Sequence, residues 1–260
     1  MTKSDIRAIM SEFIGCAIAG FFGLGVSIAL NCLGYITDIF EVAVLWGLLF
    51  ALLVMVFMNI GGAHFNPGVT LTLLIFKDFP KKLVIPYIVA QVFGWFFGVV
   101  VIYLLPGSIL ESFSGTGGNP ATLFNCTAQD PHFWAAAAFE FMMSALLLFF
   151  IFAATDQNNS VAPSPRAFPF IVGIIITFCI SFGGGVSGTA MNFARDLGPR
   201  LAELLFGTIN GWDTSALFGS WEWIMYIIAP TIGAIVGGAL YFLVVEKYFK
   251  KMKEEEKKAA

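Results

Sequence analysis

Six apolar runs, near residues 8–31, 39–59, 83–105, 132–154, 167–186 and 222–245, dominate this sequence. At the helical rise, about 20 such residues cross the hydrocarbon of a bilayer. With 58% hydrophobic and only 12% charged residues, the chain lacks the polar side chains to cover a globule of this length in water. The first run is too long for the apolar region of a secretory signal and has no clear small-residue cleavage site, so it is expected to persist as a helix. The expected class is an all-α, multi-pass protein of the cell membrane.

The charges orient it. Lys3, Arg7, Lys77, Lys81, Lys82, Arg166 and the lysines from Lys247 onward share one side if both termini are cytoplasmic, while the connections 32–38 and 106–131 hold no Lys or Arg. That asymmetry predicts cytoplasmic termini. The stretch 246–260 then reads as a charged cytoplasmic tail, the solvated end of a helix. A net charge of −3 does not point to nucleic acid. Cys16 and Cys179 fall inside spans, which argues against a disulfide framework; Cys32 and Cys126 both fall in outer segments, where one bridge is open. Asn125-Cys126-Thr127 matches a glycosylation sequon on the outer face. His132, at the start of the fourth run, reads as interfacial.

Two segments are neither plain loops nor long enough to cross: "GGAHFNPGVTLTLLIF" (61–76) and "GTAMNFARDLGPRLAELLF" (188–206). In each, Gly precedes Asn, and about ten residues of helical character follow. Gly62 aligns with Gly188, Asn66 with Asn192 and Gly68 with Ala194, and at nearly the same offset Glu12 of "EFIG" aligns with Glu140 of "EFMM". "AQVFG" (90–94) likewise pairs with "APTIG" (229–233). One transmembrane domain is therefore expected, made of two repeats, about 8–105 and 132–245, and three spans per repeat force the second copy to insert upside down.

Non-helical backbone at membrane depth is tolerated only where it is buried or lines a cavity. Two inverted half-helices, each capped by an Asn, predict a pore in which two positive helix ends meet at the centre. Solute oxygens would accept from the Asn66 and Asn192 amides there, and cations would meet a barrier.

On "GAHFNPG", "NFARDLGPR" and the repeated glutamates, the chain from Glu12 to about Lys247 resembles the major intrinsic protein family, the aquaporins and aquaglyceroporins. The resemblance implies six tilted transmembrane helices plus two re-entrant half-helices, one pore per subunit, and a homotetramer. It assigns the pore signatures to Asn66, Pro67 and Gly68 and to Asn192, Phe193 and Ala194, with Phe193 standing where the family normally has Pro. It also assigns a selectivity filter of Trp46, Ile180, Thr189 and Arg195, and supporting roles around the loops to Glu12, Glu140, His64, Asp196 and Arg200. The helical angle at Phe193 suits either residue, and the ring is expected to turn away from the lumen, the alternative being an inward plug.

A Trp face beside an Arg fork suits a polyol, so glycerol and water are the first solutes implied. Asp196, Arg200 and the long outer stretch 106–131 resemble the glycerol-conducting branch; Ile180, Thr189 and "MYIIAP" in the last run depart from it. Undissociated lactic acid and urea stay open as solutes. A coupled secondary transporter also uses broken, inverted helices, but it would need an ionisable site at the midplane, where the re-entrant tips offer Asn. No nucleophile–base pair or metal-ligand spacing is present outside these positions, so neither an enzyme, a cofactor nor a metal is expected.

Overall fold

The computed structural model describes residues 1–105, 109–128 and 133–259. Six of its helices are long and apolar enough to cross a membrane. They are α1 (Lys3–Asn31), α2 (Ile39–Gly61), α4 (Lys81–Leu104), α6 (Phe133–Thr155), α7 (Phe168–Ser187) and α10, which begins at Glu222. Between them lie the half-helices α3 (Pro67–Phe76) and α8 (Phe193–Asn210) and the short helices α5 (Ile109–Gly115) and α9 (Ser215–Phe218).

Local chemistry sets the helix ends. α1 starts on a capping box, with the Thr2 hydroxyl accepting from the Asp5 amide at 3.1 Å and the Asp5 carboxylate accepting from the Thr2 amide at 2.7 Å. Asp38 caps α2 by accepting from the amides of Phe40 and Glu41. α2 and α7 both stop on a left-handed glycine, Gly62 at φ +86° and Gly188 at φ +74°, a conformation that a Cβ disfavours.

Helix pairs approach closely through small residues. Gly94 and Gly98 of α4 lie against the main chain of α1, and a Cβ on either would sit 2.5 Å from the carbonyl oxygens of Phe13 and Ala17. Gly233 and Gly237 of α10 repeat this against the carbonyls of Phe141 and Ala145 in α6. α2 and α7 cross at Gly47 and Gly173. In hydrocarbon, where burial gives little drive for helices to associate, such close contact is what van der Waals attraction requires. Apolar side chains such as Leu48, Leu52, Phe178 and Phe182 are left facing outward.

Two details differ from the sequence reading. The second half-helix is 18 residues long rather than about ten, because "LAELLFGTIN" continues it without a break until Gly211 ends it in the left-handed region at φ +71°. No bridge joins Cys32 to Cys126, since all four cysteines are free. The charged tail is helical: α10 runs through a π turn at Tyr241–Glu246 into Lys247–Ala259, and Glu246 pairs with Lys77 at 2.8 Å and Lys250 at 2.9 Å. His132 lies outside the described residues.

Candidate functional site

The loops entering the two half-helices share one unusual backbone. Ala63 and Phe65 in the first, and Thr189 and Met191 in the second, all have positive φ, between +43° and +51°. For residues with a Cβ this conformation is strained and persists only where the surroundings over-determine it. Two buried carboxylates do so. Glu12 accepts from the amides of His64 at 2.9 Å and Phe65 at 2.6 Å; Glu140 accepts from those of Ala190 and Met191, both at 2.8 Å. Gln91 donates to Glu12 at 2.8 Å, and Ser187 donates to Glu140 at 2.7 Å.

Beyond each loop an asparagine in extended conformation caps the half-helix. The Oδ1 of Asn66 accepts from the Gly68 amide at 2.8 Å, and that of Asn192 from the Ala194 amide at 3.0 Å. The Nδ2 of Asn66 crosses to the Met191 carbonyl at 2.7 Å, while that of Asn192 crosses to the Phe65 carbonyl at 2.8 Å. From the sequence, both amides are expected to donate to the solute. In the structure one N–H of each ties the opposite loop, and each amide keeps a second N–H.

A channel of about 590 Å³ passes this junction, from Asn31 and Thr127 at one mouth, past Asn66 and Asn192, to Leu73 and Thr155 at the other. One wall is apolar: Trp46, Phe50 and Val54 of α2 and Val172, Ile176 and Ile180 of α7, every fourth residue on one face of each helix. The rest of the lining comes from the two loops, including Ala63, His64 and Asn66 and residues 188–192, with Arg195, and from Val69, Leu73, Trp95 and Leu147. Pro67, Gly68, Phe193 and Ala194 form the first turns of the half-helices and do not line the channel; the Phe193 ring is half-buried outside its wall.

Arg195, Trp46, Ile180 and Thr189 all line the same channel. The Arg195 guanidinium lies over the Trp46 ring, 5.2 Å from its centroid, and donates through Nη1 to the Phe124 carbonyl at 2.8 Å. Trp46 in turn stacks on Trp95 at 6.0 Å and Phe50 at 6.1 Å, and Gly23 leaves room for its ring edge. The Thr189 hydroxyl is buried without a hydrogen-bond partner among the described residues. His64 is buried beside the channel with Nδ1 3.0 Å from the Thr70 hydroxyl.

Asp196 and Arg200 form a buried ion pair at 2.6 Å. They grip the segment before α6, where the Cys126 amide donates to Asp196 at 2.8 Å and the Cys126 carbonyl accepts from Arg200 at 2.6 Å. Burial pushes the Cys126 thiol up to about 12, so it stays protonated. The Asn125 sequon side chain is half-buried at the channel mouth, a poor place for a glycan. Four residues here escaped the sequence reading as site residues: Trp95, Phe124, Cys126 and Glu203. Only Glu203 left a trace, an acid one turn past Arg200 on an otherwise apolar stretch of half-helix.

Comparisons with known proteins agree with this geometry. The family model for Major intrinsic protein matches residues 1–241. The Propanediol uptake facilitator PduF of Citrobacter freundii is 35% identical over 95% of this chain and 95% of its own length. The Glycerol uptake facilitator protein of Haemophilus influenzae is 35% identical over 93% of this chain and 94% of its own. Among solved structures, the aquaglyceroporin from Plasmodium falciparum matches with a TM-score of 0.83 at 25% identity, covering 95% of this chain and 99% of that one. With six apolar spans and two half-helices around a channel, the chain is a multi-pass membrane channel, not an enzyme, and belongs to the major intrinsic protein family.

Proposed function

We propose that the channel conducts small polyols, glycerol and propanediol first, together with water, passively across the cell membrane. The observation that carries this is a lumen with two kinds of lining, apolar side chains such as those of α2 and α7, and the loop residues with Asn66, Asn192 and Arg195, the last of these at the Trp46 ring. A polyol has the same two edges, carbon-bound hydrogens on one and hydroxyls on the other, so it can desolvate without leaving either edge unmatched. The names of the glycerol and propanediol facilitators among its relatives support the same solute class.

In this reading Trp46, Ile180, Thr189 and Arg195 form the selectivity filter. Asn66 and Asn192 present donors at the midpoint, where the opposed helix ends repel cations. Glu12, Glu140, His64, Asp196 and Arg200 hold the loops. The chain is two inverted repeats, about 8–105 and 132–245, with both termini cytoplasmic, and it assembles as a homotetramer. The matched left-handed loops and the two Asn bridges support the repeat, and the lysines of the tail support the orientation.

Stopped-flow light scattering on proteoliposomes, with glycerol, propane-1,2-diol, urea, lactic acid and water compared in one preparation, tests it. Polyol permeability well above that of urea and undissociated lactic acid is expected. Vesicles that pass water alone, or acid faster than polyol, would refute the assignment.

A further inference from the structure

Glu203, named above among the site residues, has no role yet. It is fully buried in α8, on the same face as Asp196 and Arg200, at the fourth and seventh steps of the helical repeat. Its Oε1 accepts two consecutive main-chain amides of the outer segment, Phe124 at 2.5 Å and Asn125 at 3.1 Å. The next amide, of Cys126, goes to Asp196. One helix face therefore takes up three successive peptides of a segment that has no regular structure of its own.

The Phe124 residue is what makes this matter for transport. Its amide is held by Glu203, and its carbonyl accepts Nη1 of Arg195. Arg195 is only part-buried, and the Phe124 carbonyl is its one hydrogen-bond acceptor from the side chain among the described residues. The direction of its fork into the lumen thus depends on where that carbonyl stands.

We infer that Glu203 is a positioning residue for solute selection, acting through the Phe124 main chain to fix the Arg195 guanidinium against Trp46. A loop without this anchor lets the guanidinium leave the Trp46 face, and a polyol hydroxyl no longer meets a pre-aligned donor. The remaining oxygen, Oε2, has no partner among the described residues, so a neutral amide in place of the carboxylate keeps the acceptor that the loop uses.

This inference rests on the filter reading of Arg195, and the experiment separates the two. The ratio of glycerol to water permeability is measured in proteoliposomes for the parent, Arg195→Ala, Glu203→Ala, Glu203→Gln and the Arg195→Ala/Glu203→Ala double variant. A loss of properly folded protein lowers both permeabilities together and leaves their ratio alone. We expect Glu203→Ala to lower the ratio by about fivefold, the effect of one lost hydrogen bond on a barrier, and Glu203→Gln to keep the parental value. In the Arg195→Ala background the second substitution should change the ratio no further. Should Glu203→Ala not fold, Glu203→Asp, which withdraws the oxygens by one methylene, is expected to lower the ratio in its place. An altered ratio in Arg195→Ala beside an unaltered one in the Glu203 variants, or an undiminished Glu203 effect without Arg195, overturns the relay and spares the filter. An unaltered ratio in Arg195→Ala overturns the filter reading and the relay with it.

Discussion

Asn66 donates its side-chain amide to the carbonyl of Met191 at 2.7 Å, so the cap of one half-helix is also the clamp on the loop that leads into the other. Asn66→Ala removes this bond and the bond to the Gly68 amide together. A cost of about 2 kcal/mol is expected, the sum of a lost cap and a lost buried hydrogen bond. Thermal unfolding in detergent should show it as a midpoint lowered by roughly 5 °C.

Trp46→Ala acts on two links at once. It removes the ring that faces Arg195 and also a side chain stacked on Trp95 and Phe50. The glycerol-to-water permeability ratio should fall, and stability should fall by about 3 kcal/mol for the cavity left behind. Trp46→Phe keeps an apolar wall and should recover most of the ratio. If both variants match the parent ratio, the ring serves packing alone.

Gly237→Val places a branched side chain against the Ala145 carbonyl of the neighbouring helix. α6 and α10 must separate, at a cost above the roughly 1–3 kcal/mol usual for overpacking, because the obstacle is main chain rather than a mobile side chain. The expected outcome is a large loss of folded protein in size-exclusion chromatography. Substitution to Ala at Gly25, whose Cβ would meet nothing within 4 Å, is the control.

Phe193→Pro should be tolerated. Phe193 is the first helical residue of α8, and Asn192 before it is already extended, the backbone that a following proline favours. The ring lies outside the channel wall, so removing it should change water and glycerol permeability by less than about tenfold, or 1.4 kcal/mol in barrier height. A closed parent channel opened by this change would make the ring a plug.

The architecture was legible in the sequence because its main signals are local. Apolar runs give the spans, and Gly-x-x-x-Asn before a short helical stretch marks each re-entrant loop. What was not legible depends on segments far apart in the chain meeting through main-chain groups, which carry no residue identity. The segment 119–128 has no periodicity, and its path is set by Glu203 and Asp196, which lie more than 60 positions further on. Trp95 reads as one more aromatic in an apolar span; its stack on Trp46 and its place in the channel lining make it part of the site. The signature of the second half-helix marks only its start, whereas its end is set by Gly211.

The two Asn bridges also order events in time. They join positions 125 and 127 residues apart, whereas Glu12 reaches His64 across only 52. During synthesis from the N-terminus, the first half can close its own loop onto Glu12 while the ribosome is still extending the chain. Its Asn66 amide and Phe65 carbonyl then wait in the membrane for partners until residues 191 and 192 have been made. The centre of the channel is therefore among the last places to become complete, and a truncated first half would sit in the bilayer with its re-entrant tip unsealed.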